Sequence, residues 1–85
     1  MGLANALKVL KRGTTGKVVQ QIDTSANGGM TTMSLRLKKE VLSAETYVVL
    51  GELTPRNYQY VTFDQDEFAR FSQAVQIIRD SLGRR

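Results

Sequence analysis

The stretch Asp64-Gln-Asp-Glu-Phe-Ala-Arg-Phe-Ser-Gln-Ala-Val-Gln-Ile-Ile-Arg-Asp-Ser-Leu-Gly83 decides the fold. Phe68, Phe71, Val75, Ile78 and Leu82 recur at steps of three, four, three and four. That spacing lines them along one face of a helix with 3.6 residues per turn. Asp64 can receive backbone N–H groups as an N-cap, and Glu67 stands three residues on, the spacing of a capping box. Asp66 and Glu67 put negative charge at the positive end of the helix dipole, and Arg79 lies towards the other end. Gly83 is suited to close the helix in the left-handed conformation. Burying the five stripe residues would contribute roughly 8–15 kcal/mol, at about 1.5–3 kcal/mol per side chain. The residues before Asp64 are therefore expected to supply the surface on which this helix lies.

They read as strands. Thr31 to Lys39 alternates, with Met33, Leu35 and Leu37 on one side and Thr32, Ser34, Arg36 and Lys38 on the other. Upstream, Lys17 to Asp23 is rich in β-branched residues, and Ser25-Ala-Asn-Gly-Gly29 is a dense turn signal. Downstream, residues 41–45 form a connector, and Thr46 to Leu53 is a strand apolar on both faces, with Gly51 as a candidate bulge. Thr54-Pro55-Arg56-Asn57 is a hairpin turn, and Tyr58 to Phe63 is the last strand before the Asp64 cap. Short turns favour antiparallel neighbours. The expected fold is α+β: a four-stranded antiparallel meander followed by one long C-terminal amphipathic helix. Met33, Leu35, Leu37, Val61 and Phe63 should meet the helix stripe in the core.

Residues 3–12 place Leu3, Ala6, Leu7 and Leu10 at helical spacing, so a short N-terminal helix is slightly favoured over a strand. Gly13-Thr-Thr-Gly16-Lys17 has two residues between its glycines where a phosphate-binding loop has four, and Val18 follows the lysine. It reads as a turn. The chain is thus one domain over residues 1–85, with an N-terminal extension at 1–12, a sheet at 17–63 and a helix at 64–83.

Composition narrows the function. With no cysteine and no histidine, disulfides, thiol nucleophiles and the commonest general base and metal ligands are lacking. Asp64, Asp66, Glu67 and Asp80 are accounted for by helix capping and a solvated face, and no cofactor is implied. The reading is a non-enzyme. No apolar run approaches the roughly 18–20 residues of a membrane span, and Met1-Gly2-Leu3-Ala4-Asn5-Ala6 lacks the apolar core of a secretory leader. A soluble protein of the cytoplasm, nucleoid or nucleus is expected, and not a secreted one. A small domain without disulfides often completes its core by pairing with a copy of itself, which points to a homodimer.

The net charge of +4 is uneven: residues 1–63 hold eight basic and four acidic side chains, residues 64–85 four of each. If Val61 and Phe63 point inward, Tyr58, Tyr60 and Thr62 point outward; if Leu35 and Leu37 point inward, so Arg36 and Lys38 point outward. Two tyrosines and two cations would share one face, with Lys17 and Arg56 at its rims. Aromatic rings stack on bases and cations track phosphates, the usual platform for single-stranded nucleic acid. The competing readings are ordinary strand tyrosines on a wet face, or Tyr58 and Tyr60 buried in a dimer seam.

The order of elements resembles the single-stranded-nucleic-acid-binding group that includes PUR, Whirly and positive transcriptional cofactor proteins. The likeness is carried by Tyr60-Val-Thr-Phe-Asp-Gln-Asp-Glu-Phe-Ala-Arg-Phe71, where an alternating strand meets a capped acidic turn and an aromatic helix, and by Met33 to Leu53. It spans residues 17–82 and departs from the group at 41–45 and 1–12. The resemblance implies a homodimer with packed helices and single-stranded DNA or RNA on the outer sheet faces. On this reading Lys17, Arg36, Lys38 and Arg56 contact phosphates and Tyr58 and Tyr60 stack on bases. The alternative is a protein–protein interaction module or small structural subunit without nucleic-acid binding.

Overall fold

The computed structural model describes residues 16–84, so the readings made for residues 1–12 and for most of the Gly13–Lys17 turn lie outside the described residues. Four strands, β1 (Lys17–Ala26), β2 (Thr31–Lys39), β3 (Thr46–Leu53) and β4 (Tyr58–Phe63), are followed by one helix, α1 (Gln65–Gly83). The strands pair antiparallel in the order β1-β2-β3-β4, the meander expected from the short connections. β1 runs three residues further than its β-branched core. The reversal that follows is compressed into a 3-10 turn at Asn27–Gly29, where Asn27, Gly28 and Gly29 all take positive φ (52°, 63° and 93°). Two consecutive glycines make that backbone inexpensive.

The register assigns every strand residue to a side. Leu37, Val48 and Phe63 lie in one row, Leu35, Leu50 and Val61 in the next, and Met33, Glu52 and Gln59 in a third. Ile22 joins this side through its pairing with Leu35. Rows on the other side join Arg36, Val49 and Thr62, then Ser34, Gly51 and Tyr60, then Thr32, Leu53 and Tyr58. Gly51 is in register on both flanks, so it is not a bulge. The irregularity falls on edge strand β1, between Val18 and Gln20.

The helix begins as its sequence requires. The Asp64 carboxylate accepts from the Glu67 N–H at 2.8 Å, and Glu67 Oε1 accepts from the Asp64 N–H at 2.9 Å, a complete capping box. Its other end differs. Gly83 stays within the right-handed helix, and the Arg84 N–H closes the last turn on the Ser81 carbonyl at 3.4 Å. That tighter i→i−3 bond satisfies an end carbonyl without a left-handed residue.

How the helix packs is the main departure from expectation. Its backbone approaches only β3 and β4. Phe63 stacks on Phe71 with centroids 5.0 Å apart and meets the edge of Phe68 at 5.9 Å, and Gln65 Nε2 donates to Thr46 Oγ1 at 2.8 Å. Beyond Phe71 the stripe leaves the sheet: Val75, Ile78 and Leu82 are 50, 62 and 63% exposed, and no helix residue is buried. The cause is direction. The helix starts where β4 ends, at a corner of the sheet, and its first turns anchor there while the rest extends past the strands. Leu35, Leu37, Val48 and Leu50 are therefore only half-buried, and Val61 is exposed. The completely buried apolar side chains among the described residues are Tyr47 and Val49, on the opposite side. Among the described residues, little of the stripe beyond Phe71 is covered.

The capping box fixes where the helix starts after β4. Asp64→Ala should lower unfolding stability by about 1 kcal/mol, within the range of roughly 0.5–2 kcal/mol for lost caps. Urea denaturation checks this, the midpoint falling at an unchanged slope.

Candidate nucleic-acid interface

Strand alternation carries Tyr58, Tyr60, Thr62, Arg36, Lys38 and Ser34 to the side of the sheet facing away from the Phe63–Phe68–Phe71 cluster, as the sequence implied. They are not equivalent there. Tyr58 and Tyr60, on edge strand β4, are 41% and 37% exposed, with ring centroids 5.9 Å apart and planes tilted by 32°. Arg36 Nη1 donates to the Tyr58 hydroxyl at 3.0 Å, and the guanidinium carbon lies 5.8 Å from the Tyr58 centroid. Two aromatic rings and one cation thus form a continuous partly exposed surface.

Gly51 is what allows this. Arg36 pairs through Val49 with Thr62, four residues along β4 from Tyr58, so the two side chains meet only if the tyrosine leans across the strands. It leans over Gly51: a Cβ built there would lie 3.0 Å from the Tyr58 hydroxyl oxygen and 3.1 Å from a ring carbon. The turn prepares the same position, since Asn57 Oδ1 accepts the Tyr58 N–H at 2.9 Å and Thr54 Oγ1 accepts the Asn57 N–H at 3.1 Å. A glycine in the middle of an otherwise apolar central strand, where it weakens the strand, was the available signal; close approach by a ring is the alternative to a bulge at such a site.

The remaining cations separate from this cluster. Lys38 shares the face but is only 6% exposed, beside buried Tyr47 in the register. Burial first, and then Arg36, hold its ammonium below the usual lysine range. It is not the free phosphate contact that alternation alone suggested. Lys17 pairs with Lys39 and so belongs to the helix side, at the far end of the sheet; it is no rim of the tyrosine face. Arg56 sits exposed in the β3–β4 turn, two residues before Tyr58. Alternation also brings in an acid: Asp23 pairs with Ser34 and faces Arg36. The Ser34 side chain and then Gln21 hold its carboxyl below the ordinary range against desolvation, with the charge of Arg36 a smaller contribution. Ser34 is buried and Thr32 and Thr62 half-buried, so the face is open along β4 with Leu53 beside it, and again along β1 at Gln21, Asp23 and Ser25, with Arg36 between the two.

Among the described residues, no group of acidic side chains could hold a metal ion, and no helix is long and apolar enough to cross a membrane. Comparison of the chain with protein-family models, with curated proteins and with solved structures finds no match.

The arrangement makes Gly51 testable by its smallest change. The Gly51 backbone is not left-handed, so Gly51→Ala is not strained in itself, and what it displaces is the far end of a side chain. Gly51→Ala should therefore change stability by less than about 1 kcal/mol. It should break the Arg36–Tyr58 hydrogen bond, read as a shift of the Arg36 guanidinium and Tyr58 ring resonances by NMR.

Proposed function

We propose that this chain binds single-stranded nucleic acid, DNA or RNA, without catalysis, acting as a homodimer. The observation that carries the reading is the pairing of Tyr58 and Tyr60 as neighbouring exposed rings with Arg36 hydrogen-bonded at their side. Every base has a π-face, so such rings accept bases with little regard to sequence, and each stack is worth about 1–3 kcal/mol. Arg36 and Arg56 supply the phosphate contacts. Buried Lys38 supports the sheet, and Lys17, on the other side, takes no part. The Asp23 carboxylate on the same face as Arg36 offsets part of its charge. The partial likeness to the PUR, Whirly and positive transcriptional cofactor group points the same way.

A second reading, a protein-interaction module or small structural subunit, is favoured by the exposed helix stripe at Val75, Ile78 and Leu82. The two are separated by labelled oligonucleotides titrated across salt concentrations. Binding through Arg36 and Arg56 should weaken with a log–log slope of about −1.4, at about −0.7 per phosphate. Tyr58→Ala and Tyr60→Ala should each weaken binding by roughly 5- to 150-fold. Arg36→Met should lower affinity, Lys38→Met should leave it nearly unchanged, and Asp23→Asn should raise it. No binding to single strands at low salt would sink the nucleic-acid reading and leave the second.

A further inference from the structure

The two edges of the sheet are not alike. β4 is six residues long and runs straight into the α1 cap, whereas β1 is ten residues long. Among the described residues, no strand covers its outer side. Every β1 residue except Ala26 is exposed, Val18, Val19 and Ile22 included. A row of unpaired backbone N–H and C=O groups on a long, β-branched edge is a template for another strand, and proteins blunt such edges with prolines, bulges or charges. Residues 17–26 contain no proline. The irregularity between Val18 and Gln20 disrupts only one end, so Gln20 to Ala26 runs in unbroken register with Leu37 to Thr31. Asp23 is the one charge on that regular part.

We propose that β1 pairs antiparallel with β1 of a second copy across a two-fold axis at Ile22, joining two four-stranded sheets into one of eight strands. This rests on the homodimer of the preceding reading and names its seam. The sequence of the edge selects both occupant and register. Residues directly opposite each other share a face of the sheet, so the axis passes through a residue and not between two. Gln20, Ile22 and Thr24 lie on the packing side, and Gln21, Asp23 and Ser25 on the tyrosine side. An axis at Asp23 would oppose two carboxylates, and like charges directly opposite are destabilising. One at Gln21 would set each Ile22 against Gln20 of the other copy. One at Thr24 would set Ile22 against Ala26 and carry Gln21 into the turn at Asn27. An axis at Ile22 opposes the two isoleucines on one face and, on the other, sets Gln21 against Asp23 twice. Those groups already meet within a chain, where Gln21 Nε2 donates to Asp23 Oδ1 at 3.1 Å, and both are exposed. An isologous seam needs a surface complementary to itself, and β1 is one at this register. The tyrosine strips on the β4 edges stay uncovered, at opposite ends of the joined sheet.

The test uses the absence of native cysteine. The full chain, without nucleic acid, should sediment as a dimer at about 100 μM, a concentration at which even a small interface is populated. Ile22→Lys sets two like charges against each other on the axis and should weaken the dimer by roughly 10-fold or more. Ile22 is 54% exposed, so this change spares the fold of one copy, and far-UV circular dichroism checks that it does. Gln21→Cys and Asp23→Cys chains are then purified separately, mixed and oxidised. Directly opposite positions lie within disulfide reach, whereas the diagonal positions of a single variant, roughly 7–8 Å apart, do not. The mixture should yield a disulfide-linked product whose mass contains one copy of each variant, and either variant alone should yield far less. A monomeric wild-type chain overturns the proposal. So does a dimer in which the mixture bridges no better than either variant alone, the result expected if two copies meet elsewhere. A dimer with this seam that binds no oligonucleotide leaves the seam standing and removes the nucleic-acid reading. A monomer that binds does the reverse.

Discussion

The joint between sheet and helix depends on three rings. Phe63 ends β4, and Phe68 and Phe71 lie in the first two turns of α1, so only the cap at Asp64 and those turns separate the partners in sequence. The stack of Phe63 on Phe71 and its edge contact with Phe68 fix the angle at which the helix leaves, and aromatic pairs of this kind contribute about 0.5–1.5 kcal/mol beyond the area they bury. Because the anchor sits at the end of the last strand, the remaining helix extends beyond it. The same contact that orders the junction therefore leaves the Val75–Leu82 segment without a sheet, while Phe68 of the helix walls the groove lined by Ile22, Leu35, Leu37 and Val48.

On the other side of the sheet the governing feature is a missing side chain. Gly51 lies between Ser34 and Tyr60 in the register, and the Tyr58 ring occupies the space its Cβ would take. This draws Tyr58 inward across β3, brings its hydroxyl to Arg36, and leaves Tyr60 as its neighbour at the edge. Glycine costs conformational entropy in a strand, and here the return is a tyrosine that is positioned yet partly exposed. A site that stacks bases needs both: a free ring would lose entropy on binding, and a buried ring could not bind.

Much of the fold was legible in the chain because alternation and helical spacing are local properties. Residues 31–39, 46–53 and 58–63 alternate or carry β-branched and aromatic residues, and they form strands with those bounds. The capping box was readable from Asp64 and Glu67 alone. What was not legible depends on how elements meet. The stripe on α1 says that one face needs cover, but not that its own sheet provides it only as far as Phe71. Alternation placed Lys38 beside Arg36, but it assigns a face and not an exposure, so its burial could not be foreseen. Lys17 fails for a related reason: its side is set by the pairing with Lys39 and the irregularity after Val18, neither of which the run of β-branched residues encodes. Gly51 was visible as an exception, yet two devices share that signal. Choosing between a bulge and a seat for a ring required knowing that Tyr58 leans across it.

The two faces divide the work because a strand can point each side chain only one way. Apolar residues at Leu35, Leu37, Val48, Leu50, Val61 and Phe63 commit one side to packing, and the alternate residues of the same strands are free to carry Arg36, Tyr58 and Tyr60. A contact that completes the packing side would stiffen β2, β3 and β4 from behind without covering the rings. In a two-fold pair it would also set two tyrosine strips at a fixed separation, so one flexible strand reaching both would gain from effective concentration without any new contact.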